Sequence, residues 1–167
     1  MEAVGIYELL QQRFPEKILE TGGKPDAFAV VEAPAIVEVC TFLRDDPEIA
    51  IDCLSNETGV DYKDRIEVVY HLFSYKHHHT CVLKVKLPRD NPIVATLEGI
   101  WSAANWMERE IFDLLGVTFT GHSDMRRILM PEDWPGHPLR KDFVEPAEYH
   151  GISTVRESPI IRLDQKH

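Results

Sequence analysis

The chain has 167 residues, enough to bury one sizeable core, and its 44% hydrophobic and 28% charged content is that of a folded protein and not of a disordered one. Eighteen Lys and Arg against twenty-eight Asp and Glu leave a formal net charge of −10, the wrong sign for a surface that coats nucleic acid or anionic lipid. No run approaches the roughly eighteen unbroken apolar residues of a membrane span, and MEAVGIYELLQQRFPEK lacks a signal peptide's basic start and apolar stretch, so a cytoplasmic chain is expected.

In chain order, residues 4–13 read as a short amphipathic helix with Ile6, Leu9, Leu10 and Phe14 at helical spacing, stopped by Pro15. DAFAVVEA (26–33) reads as a strand. Pro34 then suits a first helical turn, and Ile36, Val37, Val39, Cys40, Phe42 and Leu43 supply a buried stripe that ends at Asp45, Asp46 and Pro47. IAIDCLSN reads as a strand, followed by a polar turn through Gly59, Asp61 and Lys63 and the β-rich run RIEVVYHLFSY. Beyond a turn at KHHH, Cys81, Leu83, Val85 and Leu87 alternate with Thr80, Val82, Lys84 and Lys86, the pattern of a half-exposed strand. These strands predict an antiparallel meander. LPRDNP interrupts with two prolines, a possible short strand follows, and a helix ends at Gly116.

The expected fold class is therefore α+β, a mostly antiparallel sheet with helices packed on it. Five of the eleven prolines lie beyond residue 130, with Trp134, Phe143 and Tyr149 set among charges and no regular period. Such a stretch cannot build its own core, yet it is too rich in large apolar groups for a solvated linker. The chain divides into an α+β domain, residues 1–130, and an extended irregular C-terminal arm, residues 131–167, suited to lying on another surface.

The most informative stretch is NWMEREIFDLLGV. On a wheel of about 100° per residue, Ile100, Ala104, Met107, Ile111, Leu114 and Leu115 share one face. Glu108 lies at one edge of it, Glu110 at the other, and Arg109 with Asp113 point away. The two glutamates diverge by about 200° and cannot converge on one substrate, so no catalytic residue is assigned. Arg109 and Asp113 read as an exposed i,i+4 pair. Glu108 needs a partner, and Arg126, Arg127 and Arg140 are the bidentate candidates, which makes this an internal or interface ion-pair network. Removing an arginine from it would cost interface stability on the order of 2–5 kcal/mol.

Cys40, Cys53 and Cys81 are isolated, with no CxxC pair, and read as buried free thiols, not as cluster or zinc ligands. His71 with His77, His78 and His79 could suggest a metal site and a free-standing metal enzyme. Successive strand residues alternate faces, however, so a solvated hairpin turn is the reading adopted and no metal ligand is assigned.

With those residues in view, the chain resembles a known family: the 30 kDa subunit of proton-pumping NADH:quinone oxidoreductase, respiratory complex I. Glu108, Arg109, Glu110, Asp113, Leu114, Leu115, His122, Arg126, Ile128 and Leu129 fit every position of its signature. DYKDRIEVVYHLFS and GHSDMRRILMPEDWPGHPLRKDF are similar to further family blocks, so the likeness runs from about Ile51 to Phe143.

The resemblance implies a peripheral-arm subunit that binds no cofactor, with NADH, FMN, iron-sulfur clusters and quinone belonging to other chains. It implies docking on the quinone-site subunit and neighbouring iron-sulfur subunits, at the cytoplasmic face of the inner membrane and touching the bilayer only through the complex. Trp134 and Phe143 would bury area on the partner, with Arg126, Arg127, Arg140 and Lys141 fixing register. His122 and His137 would act as hydrogen-bonding or interface residues, not as general bases. An equivalent subunit of a membrane-bound hydrogenase or another quinone-reducing complex is the alternative.

Overall fold

The computed structural model describes residues 3–23 and 25–155. Its centre is a five-stranded sheet in the order β1 (Ile18–Gly22), β2 (Phe28–Val31), β5 (His79–Pro88), β4 (Arg65–Ser74), β3 (Cys53–Asp61). The expected meander forms from β3, β4 and β5, all antiparallel. Two additions were not legible in the sequence. Strand β1 pairs antiparallel with β2, and β2 runs parallel to β5. The sheet is thus mixed at one join, as the fold class allows.

Helix α1 (Ala3–Arg13) supplies Ile6 and Leu10 to the core, and α2 (Ile36–Asp45), entered through a 3-10 turn at Ala33–Ala35, supplies Ile36, Val39, Cys40 and Leu43. Helix α3 (Ala104–Leu115) adds Ala104, Ile111 and Leu115. All three meet the same sheet face, built from Ile66, Val68, Tyr70 and Leu72 of β4 and Cys81, Leu83, Val85 and Leu87 of β5. The opposite face is half-exposed and carries ion pairs, Lys86 of β5 with Glu20 of β1, and Arg65 with Glu67 along β4. Where β2 is too short to serve all of β5, the Tyr7 hydroxyl fills in: it accepts the Val82 N–H at 2.8 Å and donates to the Ala27 carbonyl at 3.0 Å.

A bulge between Leu54 and Asn56 resets the alternation of β3, so that Glu57, Gly59 and Asp61 stand opposite Tyr70, Val68 and Ile66 on the helix-facing side. The strand therefore runs through Gly59 and Asp61, where a turn was expected, and the turn falls at residues 62–64. A Cβ on Gly59 would overlap Leu115 and meet Ile111 at 3.0 Å. The missing side chain is what lets α3 sit close against β3. Gly116 closes α3 in the left-handed conformation, φ 73°, as its position predicted.

The hairpin at residues 75–78 is a turn, as expected, but His79 differs from the rest. It is the first residue of β5 and is buried, with neither ring nitrogen hydrogen-bonded, while His77 reaches the Pro47 carbonyl. Of the cysteines, Cys40 and Cys81 are buried and Cys53 is partly so, all free.

Candidate functional site

The outward side of α3 is not left to solvent. Short strands β6 (Ile93–Ala95) and β7 (Thr118–Thr120), which precede and follow the helix in the chain, pair with each other in parallel, and from β7 the chain turns back across the helix as a strap. Asp113, expected on an exposed face beside Arg109, is completely buried beneath that strap. One carboxylate oxygen accepts the N–H groups of Ile128, Leu129 and Met130 at 2.7–3.0 Å, and the other takes Arg127 at 2.8 Å. Burial pushes this carboxyl up, but the three N–H donors and the guanidinium outweigh it and hold it below the usual range.

Arg127 also donates to the carbonyls of Trp134 and Gly136, so one side chain ties helix, turn and arm together. Arg109 does not pair with Asp113. It donates to the carbonyls of Arg126 and Arg127 and lies 3.8 Å from Asp124. The i,i+4 reading fails because the strap offers both residues better partners than each other.

The arm then caps the end of α3. His137 Nδ1 lies 2.9 Å from the Asp113 carbonyl, the Leu139 N–H donates to Leu114, and Arg140 donates to the Leu115 carbonyl at 2.7 Å. These are the carbonyls a helix end leaves unpaired. A Cβ on Gly116 would strike the His137 ring at 2.6 Å. Further out, Asp61 joins in: Arg89 grips it through two bonds of 2.9 and 3.0 Å, the Lys141 N–H adds a third, and Arg89 also pairs with Asp142. The sequence offered Asp61 only as part of a polar turn, and Arg89 was not singled out.

Glu108 is buried, but none of the proposed arginines reaches it. Its carboxylate accepts the Thr96 hydroxyl at 2.5 Å and the Leu97 N–H at 2.7 Å, and His122 Nε2 stands 4.0 Å away. The His122 side chain is fully enclosed. Its Nδ1 accepts the Asp124 N–H, so the ring proton sits on Nε2 and is directed to the Asn105 carbonyl. Glu98 completes this corner by accepting from Ser123 and Asn105, bonds that hold it down at about 2. Burial raises Glu108 to about 7 against its two hydrogen bonds.

Among the predicted residues, Glu110, Arg126 and Lys141 are exposed, while Trp134 and Phe143 are half-buried in the arm. Glu108 and Glu110 do not converge, and Glu108 has no opening through which a substrate could approach. Among the described residues no group of three or more His, Cys, Asp or Glu side chains is placed to hold a metal ion. Large apolar side chains are exposed as well: Trp106 on α3 and Leu129, Leu139, Val144, Ile152 and Val155 on the strap and arm are each more than half accessible.

Fold and site together define a small α+β domain that binds its own C-terminal segment across one helix and carries an apolar rim. Residues 29–149 match the family described as respiratory-chain NADH dehydrogenase, 30 Kd subunit, and the chain belongs to that family. A NADH-quinone oxidoreductase subunit of Roseiflexus sp. (strain RS-1) is 47% identical over 147 residues, covering 86% of this chain and 84% of that protein. A chain of the membrane-bound sulfane sulfur reductase, an archaeal respiratory membrane complex, superposes with a TM-score of 0.70 at 25% identity, covering 84% of this chain and 85% of its own. A trypsin-resistant fragment of Nqo5 shares the fold, with a TM-score of 0.60 at 24% identity over 71% of this chain and 98% of its own. The resemblance carried by the Glu108–Leu129 segment was therefore sound.

Proposed function

We propose that this NADH-quinone oxidoreductase subunit is a cofactor-free member of the peripheral arm that docks on and stabilises the quinone-site subunit, beside the iron-sulfur subunits. NADH, FMN, the clusters and quinone are then bound by other chains, and electron transfer is an activity of the assembly. The chain meets the membrane only through the complex, at the cytoplasmic face. Among the described residues no helix is long and apolar enough to cross a bilayer.

The observation that carries the docking role is the set of outward apolar side chains on the strap and on α3, Trp106 and Leu129 through Val155. Large apolar groups left this exposed are candidates for burial against a partner. The division into a domain, 1–130, and a partner-binding arm, 131–167, belongs to this proposal. In it, Glu110, Arg126 and Lys141 meet the partner directly. Glu108, Arg109, Asp113, His122, Arg127, His137 and Arg140 shape the strap, and the half-buried Trp134 and Phe143 bury their remaining area on the partner. A second reading is the equivalent place in a membrane-bound hydrogenase or another quinone-reducing complex; in its support, a similar chain belongs to a different respiratory membrane complex, the archaeal sulfane sulfur reductase.

The test is purification from solubilised membranes through a tag on this chain, with identification of the co-purifying subunits and assay of NADH:quinone reduction. Flavin, iron-sulfur and quinone-site subunits should co-purify, and Leu139→Asp with Val144→Asp should release the chain while it stays folded. Hydrogenase subunits in their place would establish the second reading. A chain recovered alone would overturn both.

A further inference from the structure

Among the described residues Glu57 is the acid left without partners in the core. Both of its carboxyl oxygens are buried and neither has a hydrogen-bond partner. The bulge in β3 turns this residue inward, directly across from Tyr70 on β4, whose hydroxyl is likewise buried and unbonded. The titratable groups that act on this corner are Glu57 from β3, Tyr70 from β4, Glu108 from α3 and Cys40 from α2, with Cys81 of β5 behind Cys40. None of these can carry a positive charge. A carboxylate in such a place would be desolvated with no counter-ion, a state proteins avoid by keeping the proton. Glu108, the nearer acid to the surface segments, already spends its oxygens on Thr96 and Leu97 and has His122 4.0 Å away, with Glu98 beyond. It is the member equipped to ionise.

We propose that Glu57 is a neutral carboxylic acid in the folded protein and forms with Glu108 a buried acid couple that binds a proton inside the domain. The proton comes from solvent as the chain folds, because the same side chain is an anion when unfolded at neutral pH. Burial and the neighbouring Glu108 carboxyl both push Glu57 well above its ordinary range, which agrees with the geometry. The couple gives one acid a fixed proton and leaves the other to exchange. Glu108 holds the segment leading into α3 and neighbours His122 at the root of the strap, so its charge is placed where the strap would feel it.

Infrared spectroscopy of the full-length chain with isotope-labelled glutamate, at pH 8, tests this directly. The expected result is the stretching band of an un-ionised carboxyl in the wild type, kept in Glu108→Gln and absent from Glu57→Gln. In a second measurement, refolding at pH 7 in weak buffer with an indicator dye, the wild type should take up about one proton more than Glu57→Gln. Folded wild-type protein without that band, or equal uptake by the two chains, would overturn the proposal. The wild-type band requires no variant, so the test stands even where Glu57→Gln fails to fold.

Discussion

Asp113 is the side chain that pins the strap to α3. A buried carboxylate that satisfies three consecutive N–H groups and a guanidinium loses all of this together when neutralised, and Arg127 is left without a counter-charge. Asp113→Asn should destabilise the folded chain by about 3–5 kcal/mol, read from urea unfolding, and should open the strap to protease. Glu108 behaves in the opposite sense. Its folded-state value of about 7 exceeds the unfolded one, so the fold binds the extra proton and loses stability as pH rises from the ordinary carboxylate range to neutrality. The cost above pH 7 is about 3 kcal/mol. Glu108→Gln should accordingly flatten the fall in melting temperature between pH 5 and pH 8. A variant that keeps the full wild-type slope would show that Glu108 is ionised throughout.

At the scale of elements, α3 is held on two sides, by the sheet within and by the strap without. On the inner side the contact depends on Gly59. Gly59→Ala drives a methyl group into Leu115 and Ile111 and should cost about 1–3 kcal/mol, measured as a shift in denaturation midpoint, with no change in the unfolding slope. The inner side was readable beforehand, because Ala104, Ile111 and Leu115 recur at helical spacing and Gly116 marks the stop. The outer side was not. A helical wheel sorts Arg109 and Asp113 as solvent-facing, and nothing in local periodicity tells that a segment fifteen residues later lies over them. The meander was legible from alternation in β4 and β5. Strand β1 was hidden in ILETG, which has too few apolar residues to alternate, and the β2–β5 pairing is non-local. The inward turn of Glu57 and Asp61 escaped because a bulge, which leaves no trace in the pattern, sets their side.

For the molecule as a whole, two sets of acids pull in opposite directions. Asp61, held well below its ordinary range by Arg89, and Asp113, held below its own by the strap, contribute stability above the usual carboxylate values that is lost as pH falls through their lowered ones. Glu57 and Glu108 are raised, and they cost stability as pH rises. Melting temperature should therefore peak on the acid side of neutrality, between about pH 5 and pH 6.5, and decline toward pH 8. A peak at or above pH 8 would count against the raised pair. Asp61 also has a consequence in time. Its bonds to Arg89 and to Lys141, eighty residues along the chain, close a long-range contact, whereas β3, β4 and β5 join through short turns. Local pairings form early and distant ones late. The strap is then the final piece to seat, so weakening its grip at Asp61 should leave the folding rate nearly unchanged and quicken unfolding. The arm is a latch, closed last and opened first.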